Sequence, residues 1–266
     1  MGTADHVRAG YDGAAAGYDL LLRRNREGAH RLVTSLPPGP FPRVLDVGCG
    51  TGFVSEAMAR LRGARDVVGV DLSDGMLDGF RARLAAVDGV AATAVRADVA
   101  DMPVEGGAFD AVVSGMAFHW FPDKPGAVRA MARALRPGGV LGILTSGRGT
   151  EYELRDVLAA MDPPAPQPLI DAFALVQRDQ GEMDAMLRDA GLEPVDVWTE
   201  TRLRVMDPDA FMDRVYAASG HLTLGMPEEK RLALADALRA AVRDAAGPDG
   251  FAFTFVKLFA VATRPD

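Results

Sequence analysis

The sequence predicts an α/β fold with a doubly wound, mostly parallel sheet, and three observations predict it. Short apolar or β-branched runs alternate with segments of helical periodicity, the pattern of successive βαβ units. The first run ends in VLDVGCGTG, Val44 to Gly52, a glycine-rich turn that opens a helix. Acidic residues close successive runs, at Asp46, Asp71 and Asp98, which topology brings to one edge of such a sheet. With 266 residues, 48% hydrophobic and 25% charged, the chain suits one large domain or a domain carrying an inserted cap.

The elements follow in order. Val44–Val47, Val67–Val70, Ala91–Ala97 and Ala111–Ser114 read as strands. Helices are expected over Phe53–Leu61, Gly75–Ala86 and Gly126–Leu135, the last stopped by Pro137-Gly138-Gly139 before a fifth strand, Val140–Thr145. Between Asp98 and Phe109 only a loop or single turn is expected. After Thr145 the rhythm breaks: SGRGT reads as a linker, Glu151–Met161 as a helix, and DPPAPQP as neither helix nor central strand. It resumes with a helix over Glu182–Ala190 ended by Gly191 and a strand-like Val195–Val205. Helices over Pro208–Ser219 and Pro227–Ala246 and a final strand, Phe251–Thr263, complete the chain. The implied organisation is an N-terminal helical lid over 1–30, a binding core over 31–146, a cap insertion over 147–180, and the rest of the core sheet over 181–266, with helical cap from about 207 to 247.

Composition narrows the function. A formal net charge of −8 opposes association with phosphate backbones, so nucleic acid is not an expected partner. No apolar run is long enough to span a bilayer and the first thirty residues lack a secretory apolar core, so a cytoplasmic protein with no membrane partner is expected. The single cysteine, Cys49, rules out an internal disulfide and paired-cysteine zinc, and no metal is implied.

The turn itself carries chemistry. Gly48, Gly50 and Gly52 let backbone approach a ligand at a helix N-terminus, but Asp46 lies two residues ahead of them and would repel a pyrophosphate. It suits a ligand with an ammonium group. Asp71 lies at the spacing from which a carboxylate accepts from ribose hydroxyls, which alone fits a nicotinamide dinucleotide equally well. Asp98 and Val99 are placed to accept from an adenine amino group and to face its ring.

VLDVGCGTG, GVDLSDGML, ADVADMP, FDAVVSGMAFHWFPD and LRPGGVLGI together resemble, in order, the motifs of class I S-adenosylmethionine-dependent methyltransferases of the small-molecule, type 11-like kind, over about Arg43 to Thr145. The resemblance implies a Rossmann-like sheet of seven strands with the last antiparallel, and S-adenosyl-L-methionine as cofactor. It makes Asp46, Gly48, Gly50, Asp71, Leu72, Met76, Asp98, Val99 and Ser114 cofactor-contacting candidates, with Cys49 included by its place in the loop, though its side chain reads as small buried filler. A Tyr-Asp pair repeated seven residues apart, Tyr11-Asp12 and Tyr18-Asp19, is similar to a segment of many such enzymes, and implies a lid with a tyrosine beside the sulfonium.

Methyl transfer needs few catalytic groups, because the sulfonium is already an activated electrophile. His119, just beyond the fourth strand, is the candidate general base, with a fixed packing role as its alternative; Trp120 and Phe121 read as core more than as acceptor platform. Phe173, Leu175, Phe211, Met212, Tyr216, Leu222, Leu224 and Met226 line either an apolar acceptor pocket or the cap's own core. AFHWFPD is also similar to enzymes that methylate carboxylates, and an anionic acceptor would favour a cap arginine, from Arg148, Arg155, Arg178, Arg202 or Arg214. The expected function is O-methylation of a small-molecule acceptor; a cyclisation catalysed by the bound sulfonium and a non-catalytic binding partner remain as alternatives.

Overall fold

The computed structural model of the chain describes residues 24–167, 169–171, 177–219, 223 and 226–266. Tyr11 and Tyr18, with most of the expected lid, lie outside them, as do Phe173, Leu175, Leu222 and Leu224. The described elements run α1 (Arg24–Ser35), β1 (Arg43–Val47), α2 (Phe53–Arg62), β2 (Asp66–Asp71), α3 (Asp74–Ala85), β3 (Ala91–Arg96), β4 (Phe109–Gly115), α4 (Lys124–Ala134), β5 (Leu135–Ser146), α5 (Tyr152–Ala160), α6 (Gln180–Asp189), β6 (Glu193–Met206), α7 (Pro208–Ser219), α8 (Glu228–Ala245) and β7 (Phe251–Thr263). Single turns at Val99–Asp101 and Phe118–Trp120 follow β3 and β4.

The sheet has seven strands in the order β3-β2-β1-β4-β5-β7-β6. β7 pairs antiparallel with both β5 and β6, so it alone runs against the others. Sequence order runs outward from β1 to β3 and then restarts at β4 on the other side of β1. That reversal opens a crevice at the C-terminal ends of β1 and β4, where open α/β sheets bind ligands.

Alternation along the strands supplies the two faces of the core. Val44, Ala111, Val113, Phe259 and Val261 pack beneath α1, α2 and α3 through Leu32, Met58 and Phe80. Leu45, Val47, Val112, Leu258 and Ala260 pack against α4 and α6 through Val128, Met131 and Leu187. A third cluster joins α5, α7 and α8 to the start of β7, with Leu154, Leu158, Phe211, Met212, Leu238 and Phe253 buried together. Phe211 and Met212 are therefore core residues of the cap, and Tyr216 packs on the same cluster.

Capping sets the helix boundaries that periodicity missed. α6 begins at Gln180, ahead of Glu182, because Asp179 accepts from Glu182 N at 2.9 Å while the Glu182 carboxylate accepts from Asp179 N at 3.2 Å. α4 begins at Lys124, where Asp123 accepts from Gly126 N at 2.8 Å. α4 ends at Ala134, not at Leu135, and Pro137-Gly138-Gly139 belongs to β5: Leu135 already pairs with Phe109, and the extra residues form a bulge before Val140 pairs with Ala111. The expected lid boundary at residue 30 falls inside α1, whose Ala29, Leu32 and Val33 are core. The base of the 147–180 insertion is closed by a bridge between Gly147 and Arg178.

Candidate active site

β1 delivers Asp46 to the crevice on the face covered by α2, so the carboxylate meets Ser55, whose hydroxyl donates to its Oδ2 at 2.6 Å. Asp46 is 1% exposed, and its Oδ1 is buried with no hydrogen-bond partner among the described residues. Burial pushes this carboxyl up to about 7, against the pull of its bonds with Ser55. The turn that follows leaves the sheet at once, with the Gly48 and Cys49 amides donating to Val70 O at 2.8 and 3.0 Å. Gly48 has φ +68°, and a Cβ there would lie 2.3 Å from the Ala117 Cβ, so only glycine lets the turn pass the β4 loop.

Asp71 ends β2 and fixes this turn from the side, accepting from Gly50 N at 2.9 Å and from Ser73 N at 3.0 Å. Ser73 in turn caps α3 by accepting from Met76 N. Asp98 accepts from Ala100 N at 2.9 Å and so caps the turn after β3. Burial raises the Cys49 thiol well above its ordinary range, which keeps it a neutral filler in the wall.

One cleft gathers these groups. Asp46, Gly48, Cys49, Gly50, Asp71, Leu72, Met76, Asp98 and Val99 all line it, with Phe53, Val54, Met116, Ala117, Trp120, Phe121 and Leu144 among the further lining residues. Its described lining holds carboxylates from three strand ends and no lysine or arginine. The second set was not singled out from sequence as site residues. Phe53 and Val54 open α2, and the others come from the loop after β4 and from β5; the local signal for that loop was the stretch SGMA, where Met116 takes φ +57° to turn the chain back over the glycine loop.

Two candidates stand outside this lining. Ser114 is fully buried on the Val112 face of β4, and the next residue, Gly115, reaches the cleft in its place. His119 is 7% exposed in the turn after β4, with Nδ1 3.2 Å from Thr145 Oγ1 and its ring 4.7 Å from that of Trp120, which does line the cleft. Among the described residues no helix is long and apolar enough to cross a membrane, and no group of three or more His, Cys, Asp and Glu residues is placed to hold a metal.

Residues 44–139 match the methyltransferase domain family. Over those residues the chain is similar to a methyltransferase domain. It is 35% identical over 156 residues to malonyl-[acyl-carrier protein] O-methyltransferase of Serratia marcescens, a match spanning 59% of this chain and 58% of that enzyme. The chain thus spans less than two thirds of the length of the curated relatives it first matches. Its fold superposes on phosphoethanolamine N-methyltransferase 2 of Haemonchus contortus in complex with S-adenosyl-L-methionine, with TM-score 0.60 and 18% identity, covering 100% of this chain and 60% of that one. It also superposes on the [4+2]-cyclase SpnF, with TM-score 0.55 and 21% identity, covering 91% and 80%. The two solved structures share this chain's Rossmann-like fold, so the acceptor is a matter for the site and not for the fold.

Proposed function

We propose that the chain is a cytoplasmic methyltransferase that uses S-adenosylmethionine to methylate an oxygen of a small-molecule acceptor. The observation that carries the reading is the buried, unpartnered Oδ1 of Asp46 in a cleft lined by three carboxylates and no described cation. Such a wall disfavours a pyrophosphate and favours a ligand with an ammonium and neutral hydroxyls. The 35% identity to an O-methyltransferase supports oxygen as the acceptor atom.

S-adenosylmethionine, when bound, supplies a methyl group already activated by the sulfonium. The chain's residues do the rest. Asp46 holds the ammonium, and Asp71, steadied by two backbone amides, accepts from the ribose hydroxyls. Asp98 and Val99 take the adenine edge and face. Trp120, Phe121 and Leu144 exclude water from the acceptor side of the cleft. His119, oriented through Nδ1 by Thr145, takes the acceptor proton.

Calorimetry with S-adenosylhomocysteine and with NAD tests the cofactor: tight binding of the first and none of the second is expected, and the reverse sinks the reading. Accumulation of S-adenosylhomocysteine across a panel of hydroxyl and carboxylate acceptors tests the reaction. Its absence over the whole panel, with cofactor bound, would assign the site to a different chemistry.

A further inference from the structure

A second cavity lies between α1 and the antiparallel β6–β7 pair, lined in part by Glu27, His30, Arg31, Glu200, Arg202 and Lys257. Two ion pairs frame it. Arg31 Nε lies 2.8 Å from Glu200, and Arg202 lies 2.9 Å from Glu27. The side-chain amine of Lys257, half-buried, has neither a hydrogen bond nor an ion pair among the described residues. With the arginines and glutamates cancelling, Lys257 is left as the uncompensated positive charge among these arginines, glutamates and lysine. Burial holds the Lys257 amine below the usual lysine range, with Arg202 and Arg204 pushing it the same way and Glu27 and Glu200 opposing.

The position of this lysine ties it to the cleft. Lys257 pairs with Ser146, the last residue of β5, so it stands at the C-terminal edge of the sheet where the cleft opens. A Cβ on Gly28 of α1 would lie 2.7 Å from Leu144 Cδ2 and 3.1 Å from Lys257 Nζ. Leu144 lines the cleft, so the Lys257 amine and a wall residue of the cleft pack against the same point of α1.

The arginines that an anionic acceptor would have favoured are mostly engaged already. Arg148 pairs with Glu182 and Asp179, Arg155 with Asp156, Arg202 with Glu27 and Arg214 with Glu151. We propose that Lys257 anchors a single carboxylate borne by the acceptor, remote from the atom that is methylated, with the apolar part of that acceptor running past Leu144. The inference rests on the methyltransferase reading and gives it a substrate class: monocarboxylates with an apolar body. A phosphate is disfavoured, because Glu27 and Glu200 would face its second negative charge.

The test uses the full chain, with and without S-adenosylhomocysteine, titrated by calorimetry or NMR with butyrate, butyramide and inorganic phosphate. Butyrate is expected to bind with a dissociation constant in the millimolar range, and butyramide and phosphate at least about tenfold more weakly. Lys257→Met should weaken butyrate by about tenfold or more while leaving S-adenosylhomocysteine affinity and Tm near those of the parent, and Lys257→Arg should restore most of it. Equal butyrate affinity in the parent and Lys257→Met, no binding in the tens of millimolar, or phosphate binding more tightly than butyrate would each overturn the proposal. S-adenosylhomocysteine affinity tests the methyltransferase reading separately, so the two can fail independently.

Discussion

The hydroxyl of Ser55 donates to the Asp46 carboxylate at 2.6 Å and leaves the second oxygen of that carboxylate buried without a partner among the described residues. A carboxyl pushed up to about 7 by burial is half protonated near neutrality, and its ionised form awaits a cation. Binding an ammonium selects the ionised form, so a proton must leave when ligand binds below that pH. Affinity for S-adenosylhomocysteine should therefore fall as pH drops from about 7, by up to about tenfold per unit. Calorimetry in two buffers of different ionisation enthalpy should detect proton release near pH 6 that vanishes in Asp46→Asn. The same variant should bind at least about tenfold more weakly at pH 8.

The apo protein should show the converse. The folded pKa of Asp46 is raised above its ordinary 3.8, so the stability linked to this group is present below about pH 4 and is lost as pH rises through about 7. Asp46→Asn should thus raise Tm relative to the parent at pH 8, with the difference shrinking toward pH 5. A Tm difference independent of pH would show that the carboxyl ionises freely.

Gly48 and Ala117 meet across the mouth of the cleft. Gly48→Ala is expected to destabilise the fold by about 2–4 kcal/mol, combining the positive φ with the clash at 2.3 Å. Adding Ala117→Gly removes the clash but not the backbone cost, so the double variant should recover only part of the loss. Denaturant melts of the four proteins measure the coupling directly.

His119→Ala should lower kcat by about a hundredfold and remove the acidic limb of the pH–rate profile, as expected of a base. Thr145→Val, which removes the partner of Nδ1 at 3.2 Å, should lower kcat less and keep that limb. A change under threefold in His119→Ala would leave the imidazole with only the task of holding Trp120.

The strands and the first wall of the cleft were legible because their determinants are local. Asp46, Gly48, Gly50, Asp71 and Asp98 each sit beside the turn they serve, and periodicity placed β7 at Phe251–Thr263 as found. The opposite wall was not legible. Met116, Trp120 and Leu144 reach the cleft only through the β1–β4 and β4–β5 pairings, and beyond the stretch SGMA around Met116 nothing in their neighbours distinguishes them from core residues. Ser114 stands one position from the lining residue Gly115, since alternation sends successive strand residues to opposite faces and the motif alone does not fix which face opens on the cleft. Lys257 gave no signal, because its setting depends on α1 and β6, far away in sequence.

The cap offers a prediction about how its core is tied to the sheet. Glu151, at φ +57° where β5 gives way to α5, forms an ion pair with Arg214 of α7, and the two side chains are only 11% and 12% exposed. The Arg214 guanidinium also lies 5.1 Å from the Phe211 ring and 4.9 Å from that of Phe253, so it joins α7 to both α5 and β7. Removing one partner strands the other charge in an apolar cluster, which costs about 3–5 kcal/mol, whereas removing both leaves no charge behind. Arg214→Met alone should therefore lower the denaturation midpoint sharply, and Glu151→Gln combined with Arg214→Met should recover most of it. Because the cap cluster is distinct from the clusters flanking the sheet, hydrogen exchange in Arg214→Met should accelerate in α5, α7 and α8 while β1, β2 and β4 stay protected. Affinity for S-adenosylhomocysteine should then change little, since none of the cleft-lining residues belongs to the cap; a loss of affinity matching the loss of stability would mean that cap and sheet unfold as one unit.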